Sequence, residues 1–285
     1  MPTIDKVTVL GTGVLGSQIA FQAAFHGFPV TAYDVSDDAL AAARERFEKL
    51  ASRYQADPAV AASAEQTDAA ISRLRLTTDL ADAASEADLV IEAVPEVLEL
   101  KRDVYSRLAE VAPESTIFAT NSSTLLPSDI KGFTGRPDRF LALHYANEVW
   151  RFNTAEIMGT TDTDPAAFAA VVDFAKRSGM VPIELKKEKA GYVLNSLLVP
   201  FLNAAAGLLV GGYAEPETID ATWRIATGAP SGPFQIYDVI GLTTPYNIAR
   251  ANPDAGSQAF ADYLQHNYID KGKLGVATGE GFYRY

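Results

Sequence analysis

The sequence contains no cysteine in 285 residues, and it has only three histidines, three methionines and two tryptophans. Without cysteine there can be no disulfide, no thiolate zinc site and no cysteine nucleophile. The histidines, His26, His144 and His266, are too scattered along the chain to indicate a metal site. We therefore expect neither disulfide stabilisation nor a bound metal.

Positive charge is also scarce, because 24 lysines and arginines stand against 36 aspartates and glutamates, for a formal net charge of −12. Nucleic acids and anionic membranes both need a basic surface, so neither is an expected partner. The one uncharged stretch that approaches the length of a membrane span, residues 193–210, contains Asn195 and Pro200, and we expect a buried helix there. No segment of signal-peptide type precedes the first apolar run, so the expected location is cytoplasmic.

The most informative segment that is present is the glycine pattern G-T-G-V-L-G at residues 11–16, directly after the apolar run 7–10. Gly11 permits a tight turn, Gly13 leaves space for a pyrophosphate, and Gly16 lets a helix pack closely on the strand. The helix N-terminus then offers backbone N–H groups to an anion. The pattern predicts a dinucleotide-binding turn whose cofactor contacts are Gly11, Gly13, Val14, Leu15 and Gly16.

An acidic residue follows in the place that this motif requires. Asp34 closes a second apolar run, residues 29–33, so that strand, turn, helix, strand and acid fit within about thirty residues. A carboxylate there accepts hydrogen bonds from the adenosine ribose and repels a 2′-phosphate, which predicts NAD rather than NADP. The alternative is that Asp34 only caps the helix that starts near Ser36.

Short apolar runs alternate with segments of helical composition through most of the chain, which predicts an α/β fold with a doubly wound parallel sheet. We expect a Rossmann-type NAD-binding domain at residues 1–186 and a smaller all-α C-terminal domain, for substrate binding and dimerisation, at residues 187–285. The apolar helix 192–210 either packs within its own domain or forms part of a homodimer interface, which we favour. The predicted strands are residues 7–10, 30–33, 89–93, 116–119, 140–143, 155–158 and 180–185.

Polar residues follow several of the predicted strands, and ligands bind at that end of strands in such folds. His144 is the natural proton carrier, because an imidazole with a pKa near 6.5 exchanges the proton of a secondary alcohol near neutral pH. Glu156 lies in the next strand and is placed to orient the imidazole. A histidine after a strand is more often structural than catalytic, so position alone leaves both interpretations open.

Seven motifs occur in order over nearly the whole chain. They are residues 11–16, V-I-E-A-V-P-E at 90–96, T-N-S-S at 120–123, R-P-D-R-F at 136–140 with His144, Asn195 with L-L-V-P at 197–200, G-P-F at 232–234, and T-G-E-G-F-Y at 278–283. Together they resemble the L-3-hydroxyacyl-CoA dehydrogenases. The resemblance implies an enzyme that transfers hydride between NAD and C3 of an L-3-hydroxyacyl-CoA to give the 3-ketoacyl-CoA, in fatty acid metabolism, as a homodimer.

The resemblance also implies roles for single residues. His144 corresponds to the general acid/base and Glu156 to its orienting carboxylate, while Ser123 and Asn195 correspond to residues that hold the reacting oxygen and the thioester carbonyl. Simple capping or surface roles are the alternative for Ser123, Asn195, Asn121 and Lys101. In addition to the glycine turn and Asp34, the predicted cofactor contacts are Ala93, Glu96, Lys101, Asn121, Ser123 and Asn147.

The chain departs from the family at places that concern the substrate. Leu50 and Asp57 stand where short-chain members of the family place a serine and a lysine against the nucleotide end of CoA. Asp57 would repel an anionic phosphate unless nearby basic residues, such as Arg53, compensate for its charge. Ala277 replaces a lysine that the family often supplies to the cofactor. The loop after His144 carries Glu148 to Arg151 in place of the family's usual sequence.

Two further hypotheses follow from these departures. Arg151, beside Trp150 in the loop between His144 and Glu156, is placed to pair with the free carboxylate of a small 3-hydroxy acid, which would make the enzyme a dehydrogenase of that acid. A solvated arginine is the alternative interpretation. A non-catalytic NAD-binding protein is the third hypothesis, and the set of His144, Glu156, Ser123 and Asn195 argues against it.

Overall fold

The computed structural model describes residues 2–285, and the chain divides into two compact units. The first unit ends at Val193 and the second spans Leu194–Tyr285. The boundary predicted at residue 187 falls slightly earlier and stays a prediction, as do the cytoplasmic location and the homodimer. Within residues 2–285, no helix is both long enough and apolar enough to cross a membrane.

The first unit is built on one sheet of eight strands. The strands are β1 (Val7–Leu10), β2 (Val30–Tyr33), β3 (Leu74–Thr77), β4 (Leu89–Glu92), β5 (Ile117–Thr120), β6 (Phe140–Tyr145), β7 (Thr154–Gly159) and β8 (Val181–Leu185). Their order is β3-β2-β1-β4-β5-β6-β7-β8. Because β1 lies between β2 and β4, the chain runs outward in both directions from β1, and a crevice opens at the carboxyl ends of β1 and β4. The predicted fold class is confirmed.

Helices cover both faces of this sheet. They are α1 (Val14–Phe25), α2 (Asp37–Ala56), α3 (Ala64–Ser72), α4 (Leu80–Ala84), α5 (Leu98–Val111), α6 (Pro127–Ile130) and α7 (Pro165–Arg177). Ile19 of α1, Phe47 of α2 and Phe174 of α7 belong to one buried core. Leu80 of α4 and Leu108 of α5 belong to a second core. The sheet is therefore doubly wound, as the alternation of strands and helices predicts.

Two features of the sheet differ from the prediction. The strand β3 was missing from it, because β3 is an edge strand whose residues L-R-L-T, three half-buried and one exposed, form no continuous apolar run. The pair β6 and β7 is antiparallel, whereas all other neighbouring strands are parallel. The connection between them, residues 146–153, is too short for the crossover of a dozen or more residues that a parallel pair needs.

The second unit is helical and has its own apolar core. Its helices are α8 (Leu194–Val210), α9 (Pro216–Thr227), α10 (Pro233–Ile240), α11 (Thr243–Ala251) and α12 (Ala255–Asn267). Aromatic rings fill the centre of this core, where Phe282 contacts both Phe234 and Tyr237, and Tyr237 contacts Phe260. The aromatic residue near the C-terminus thus completes the core of the unit.

A buried carboxylate holds the C-terminal segment in place. Asp238 of α10 is 1% exposed. One of its oxygens accepts a hydrogen bond from the Phe282 N–H at 2.8 Å, and the other accepts bonds from the Tyr283 N–H at 2.8 Å and the Tyr285 hydroxyl at 3.0 Å. Burial raises the pKa of Asp238, and these hydrogen bonds act in the opposite direction. Both side-chain oxygens at position 238 therefore have to accept hydrogen bonds.

We expect Asp238→Asn to lower the free energy of unfolding by about 1–3 kcal/mol, because an amide has one acceptor oxygen and leaves a buried donor without a partner. Urea unfolding monitored by circular dichroism measures this change. Glu217→Gln, which neutralises an exposed carboxylate of α9, is the control and should have little effect. Equal stability of Asp238→Asn and wild type would contradict this role of Asp238.

Candidate active site

The turn between β1 and α1 has the backbone of a phosphate-binding turn. Gly11 has a φ of +91°, and a Cβ there would lie 2.7 Å from the Ala93 carbonyl oxygen. A Cβ on Gly16 would lie 1.9 Å from the Gly11 carbonyl oxygen, whereas a Cβ on Gly13 would meet nothing within 4 Å. Gly13 caps α1 without any side-chain hydrogen bond, and the first turn of α1 has no acidic residue. The helix N-terminus is therefore suited to an anion.

A cavity of about 260 Å³ lies beside this turn, at the carboxyl ends of β1, β4 and β5. It brings together most of the cofactor contacts that the sequence predicts. Its lining residues are Gly13, Val14, Leu15, Gly16, Ala93, Val94, Glu96, Lys101, Asn121 and Ser123. The open space at Gly13 fits a pyrophosphate. The polar groups of the cavity wall fit a polar ring attached to that pyrophosphate.

Asp34 lies at the end of β2 and is held by the glycine turn. Its Oδ2 atom accepts hydrogen bonds from the Thr12 N–H at 2.8 Å and the Thr12 hydroxyl at 2.6 Å. Its Oδ1 atom accepts a bond from the Val35 N–H at 2.8 Å. Arg46 donates to the Thr12 carbonyl oxygen at 3.2 Å. The carboxylate is thus fixed next to the turn, at the end of the second strand, where this fold places the acid that recognises a ribose.

A buried ion pair lies under the cavity. Lys101 is 1% exposed and its Nζ atom is 2.6 Å from Glu92 Oε1, and Glu92 is fully buried. Thr120 of β5 donates to the other Glu92 oxygen at 2.8 Å. Sequence reasoning included Lys101 but missed Glu92. The signal was present, since Glu92 is an acid in an otherwise apolar buried strand.

Glu96 connects this ion pair to the loop that follows β5. Its Oε1 atom accepts hydrogen bonds from the Ser122 hydroxyl at 2.5 Å and the Thr124 N–H at 2.9 Å, and Lys101 Nζ lies 3.4 Å from its Oε2 atom. Partial burial raises the pKa of Glu96, but the bonds from Ser122 and Thr124 and the charge of Lys101 lower it to about 2. Glu96 is therefore ionised at neutral pH and holds the loop that carries Ser123.

The antiparallel pairing of β6 and β7 places His144 directly opposite Glu156. His144 Nδ1 is 3.0 Å from Glu156 Oε2, and His144 Nε2 is 3.0 Å from the Ser123 hydroxyl. His144 is 4% exposed and Glu156 3%. Asn121, on the same loop as Ser123, accepts a hydrogen bond from the Tyr145 N–H at 2.9 Å. These contacts align a serine, an imidazole and a carboxylate in series, as proton transfer at Nε2 requires.

Two of the predicted site residues are not among these contacts. Asn147 is exposed in the loop after β6 and is absent from the cavity wall. Asn195 lies in the first turn of α8, in the second unit. The roles that the resemblance implies for these two residues, and for the other site residues, stay predictions.

Leu50 and Asp57, which stand where the family has its CoA contacts, both make contacts within the first unit. Leu50 is buried in the core. Asp57 accepts hydrogen bonds from the Ala59 N–H at 2.9 Å and the Trp150 indole N–H at 3.1 Å, and Arg151 Nε lies 4.0 Å from it. The hydrogen bond from Ala59 lowers the pKa of Asp57, and the hydrogen bond from Trp150 and the charge of Arg151 act in the same direction. Asp57 is therefore an ionised carboxylate that already has partners within the protein.

A glycine turn at the switch point of a doubly wound sheet, an acid at the end of the second strand and a histidine–carboxylate pair together define a nicotinamide-dependent dehydrogenase. Residues 6–189 match the family described as 3-hydroxyacyl-CoA dehydrogenase, NAD binding domain, and residues 191–285 match 3-hydroxyacyl-CoA dehydrogenase, C-terminal domain. The chain belongs to the 3-hydroxyacyl-CoA dehydrogenase family. NAD is its cofactor, as the sequence predicts, and the resemblance is confirmed.

Relatives align over almost the whole chain. The mitochondrial hydroxyacyl-coenzyme A dehydrogenase of Rattus norvegicus is 36% identical over 99% of this chain and 91% of its own length. The probable 3-hydroxybutyryl-CoA dehydrogenase of Bacillus subtilis is 32% identical over 99% of this chain and 98% of its own. Among solved structures, a diketoreductase that acts on dicarbonyl compounds is 66% identical, with a TM-score of 0.95 and full coverage of both chains. FadB2 of M. tuberculosis is 30% identical, with a TM-score of 0.87 and 99% coverage of both chains.

The glycine turn allows a matched pair of substitutions. Gly13→Ala should fold as wild type does, because its Cβ meets no protein atom, yet raise the Kd for NAD at least about tenfold (~1.4 kcal/mol), because the methyl group occupies the approach of the pyrophosphate. Gly16→Ala should instead destabilise the fold by about 1–3 kcal/mol through overpacking. Calorimetric titration and thermal unfolding measure the two effects. Wild-type affinity of Gly13→Ala would contradict the binding site.

Proposed function

We propose that the protein transfers hydride between NAD and C3 of an L-3-hydroxyacyl-CoA, which gives the 3-ketoacyl-CoA. The observation that carries this proposal is the series Ser123, His144 and Glu156, with Nε2 of the imidazole 3.0 Å from the serine hydroxyl and Nδ1 3.0 Å from the carboxylate. The family supports the same chemistry. NAD supplies the hydride acceptor when it is bound in the cavity.

His144 Nε2 takes the proton of the substrate hydroxyl as the C3 hydride leaves, and it returns that proton to the carbonyl oxygen in the reverse direction. Glu156 accepts the hydrogen bond of Nδ1–H, which keeps the proton on Nδ1 and leaves Nε2 as the base. The negative charge of Glu156 also stabilises the imidazolium that forms. When substrate is bound, the Ser123 hydroxyl turns its one proton from Nε2 to the reacting oxygen and polarises it.

His144→Ala should lower kcat for the reduction of acetoacetyl-CoA by about 10²–10⁴-fold, because it removes the proton donor. Loss of NADH absorbance measures the rate. His266→Ala, which removes an exposed histidine of α12, is the matched control and should keep wild-type kcat. Comparable kcat in His144→Ala and wild type would exclude this mechanism.

A second candidate substrate class is a small 3-hydroxy acid or dicarbonyl compound without CoA. The observation that favours it is the ionised carboxylate of Asp57, at the position where the resemblance implies a lysine for CoA. The 66% identity to a diketoreductase that acts on dicarbonyl compounds supports it as well. Arg151, at 4.0 Å from Asp57 and 56% exposed, keeps most of its donors available to a substrate carboxylate.

Two acetoacetyl thioesters, one of CoA and one of N-acetylcysteamine, separate these candidates, because they share the reacting group and differ in the nucleotide. If CoA is recognised, kcat/KM should be much higher for the CoA thioester. If the second candidate is correct, the two values should be similar, and Asp57→Asn should raise kcat/KM about two- to fivefold for the CoA thioester alone, because it removes the repulsion of the phosphates. Turnover of free acetoacetate that is lost in Arg151→Ala would identify the free acid.

A further inference from the structure

The last residues of the first unit form a turn that contacts each member of the proposed catalytic series. We define it as the 189–193 turn. Its Gly191 N–H donates to the Ser123 carbonyl oxygen at 3.2 Å. Its Val193 N–H donates at 2.9 Å to Glu156 Oε1, the oxygen that His144 does not use. The turn therefore reaches both ends of the series through its backbone.

Tyr192 supplies the contact to the middle of the series. Its ring is stacked on the imidazole of His144, with 4.4 Å between the ring centroids and 11° between the planes. Its hydroxyl donates to the Ser122 carbonyl oxygen at 2.9 Å. The side chain is 1% exposed and packs with Ala142 and Met158. One side chain thus contacts both the imidazole and the peptide that precedes Ser123.

The backbone at Tyr192 is in an unfavourable conformation. Its φ is +50°, in the left-handed region that residues with a side chain rarely adopt. Such a conformation costs free energy and persists only where surrounding contacts outweigh the cost. Here the outweighing contacts are those of its own ring and hydroxyl. The turn is thus built to present this side chain to His144.

The stack restrains a motion that the hydrogen bonds leave free. Ring nitrogens form hydrogen bonds along directions in the ring plane, so the contacts with Ser123 and Glu156 hold the imidazole mainly within that plane. They do little against a tilt of the ring out of the plane, which moves Nε2 away from the substrate oxygen. A parallel aromatic face opposes this tilt. Burial raises the pKa of the Tyr192 phenol, so the ring stays neutral.

We propose that Tyr192 is a positioning residue for proton transfer by His144, through the stack on the imidazole and the hydrogen bond to the Ser122 carbonyl. This inference rests on the proposed role of His144. It concerns the rate of proton transfer and not the binding of NAD or of substrate. A loss of the aromatic face therefore lowers kcat and leaves both KM values in place.

Two substitutions separate the contacts. Tyr192→Phe keeps the ring face and loses the hydroxyl, and it should lower kcat about threefold. Tyr192→Met fills the volume without a flat face, and it should lower kcat about 30-fold, because small misplacement of a reacting group costs up to about two orders of magnitude. The KM for NADH and for acetoacetyl thioester should change less than about twofold in both. Tyr54→Phe, which removes another buried phenol bonded to Gln22, is the control and should keep wild-type kcat.

The outcomes decide the inference. Wild-type kcat in a folded Tyr192→Met, or a rise in KM that accounts for the whole loss of kcat/KM, would overturn it. If thermal unfolding shows that Tyr192→Met does not fold, Tyr192→Leu takes its place as the variant without a flat ring face, and wild-type kcat in a folded Tyr192→Leu would overturn the inference. His144→Ala, assayed in parallel, distinguishes the two failures: an active His144→Ala refutes the proposed function, whereas an inactive one beside normal Tyr192 variants refutes only this inference.

Discussion

The hydrogen bond between His144 and Glu156 depends on one pairing in the sheet. The antiparallel register of β6 and β7 puts the two residues directly opposite each other. The antiparallel pair is possible because the connecting loop is short, and this loop also carries Trp150 and Arg151 toward Asp57. The antiparallel direction of β7 thus sets the geometry of the proposed proton transfer and determines which residues of the loop lie near Asp57.

The cofactor site depends on a different constraint, which is close packing at the switch point of the sheet. Gly11 and Gly16 leave no room for a Cβ because the turn, α1 and the end of β4 are in contact. The carboxyl end of β4 leads into Glu96, and Glu96 holds the loop that bears Ser123. Through this chain of contacts, the part of the site that binds NAD also positions the serine beside His144.

Most of the α/β framework could be predicted from the sequence, because buried parallel strands are continuous apolar runs and the glycine turn has a single physical explanation. The prediction lacked β3, whose mostly half-buried residues give no such run, and the direction of β7, which depends on loop length. Histidine and acid could be paired from strand positions and family resemblance. The contacts of Tyr192 could not, because stacking and a positive φ depend on tertiary packing that no local pattern encodes.

The buried pair of Glu92 and Lys101 has a consequence for how this chain can diverge. Both side chains are almost fully buried, so replacing Lys101 strands the Glu92 carboxylate in the interior, at a cost of about 3–5 kcal/mol. Replacing both with apolar residues of similar volume avoids that cost. The two positions are therefore expected to vary together among related sequences, so that both charges are kept or both are lost. This holds even though eight residues separate them along the chain.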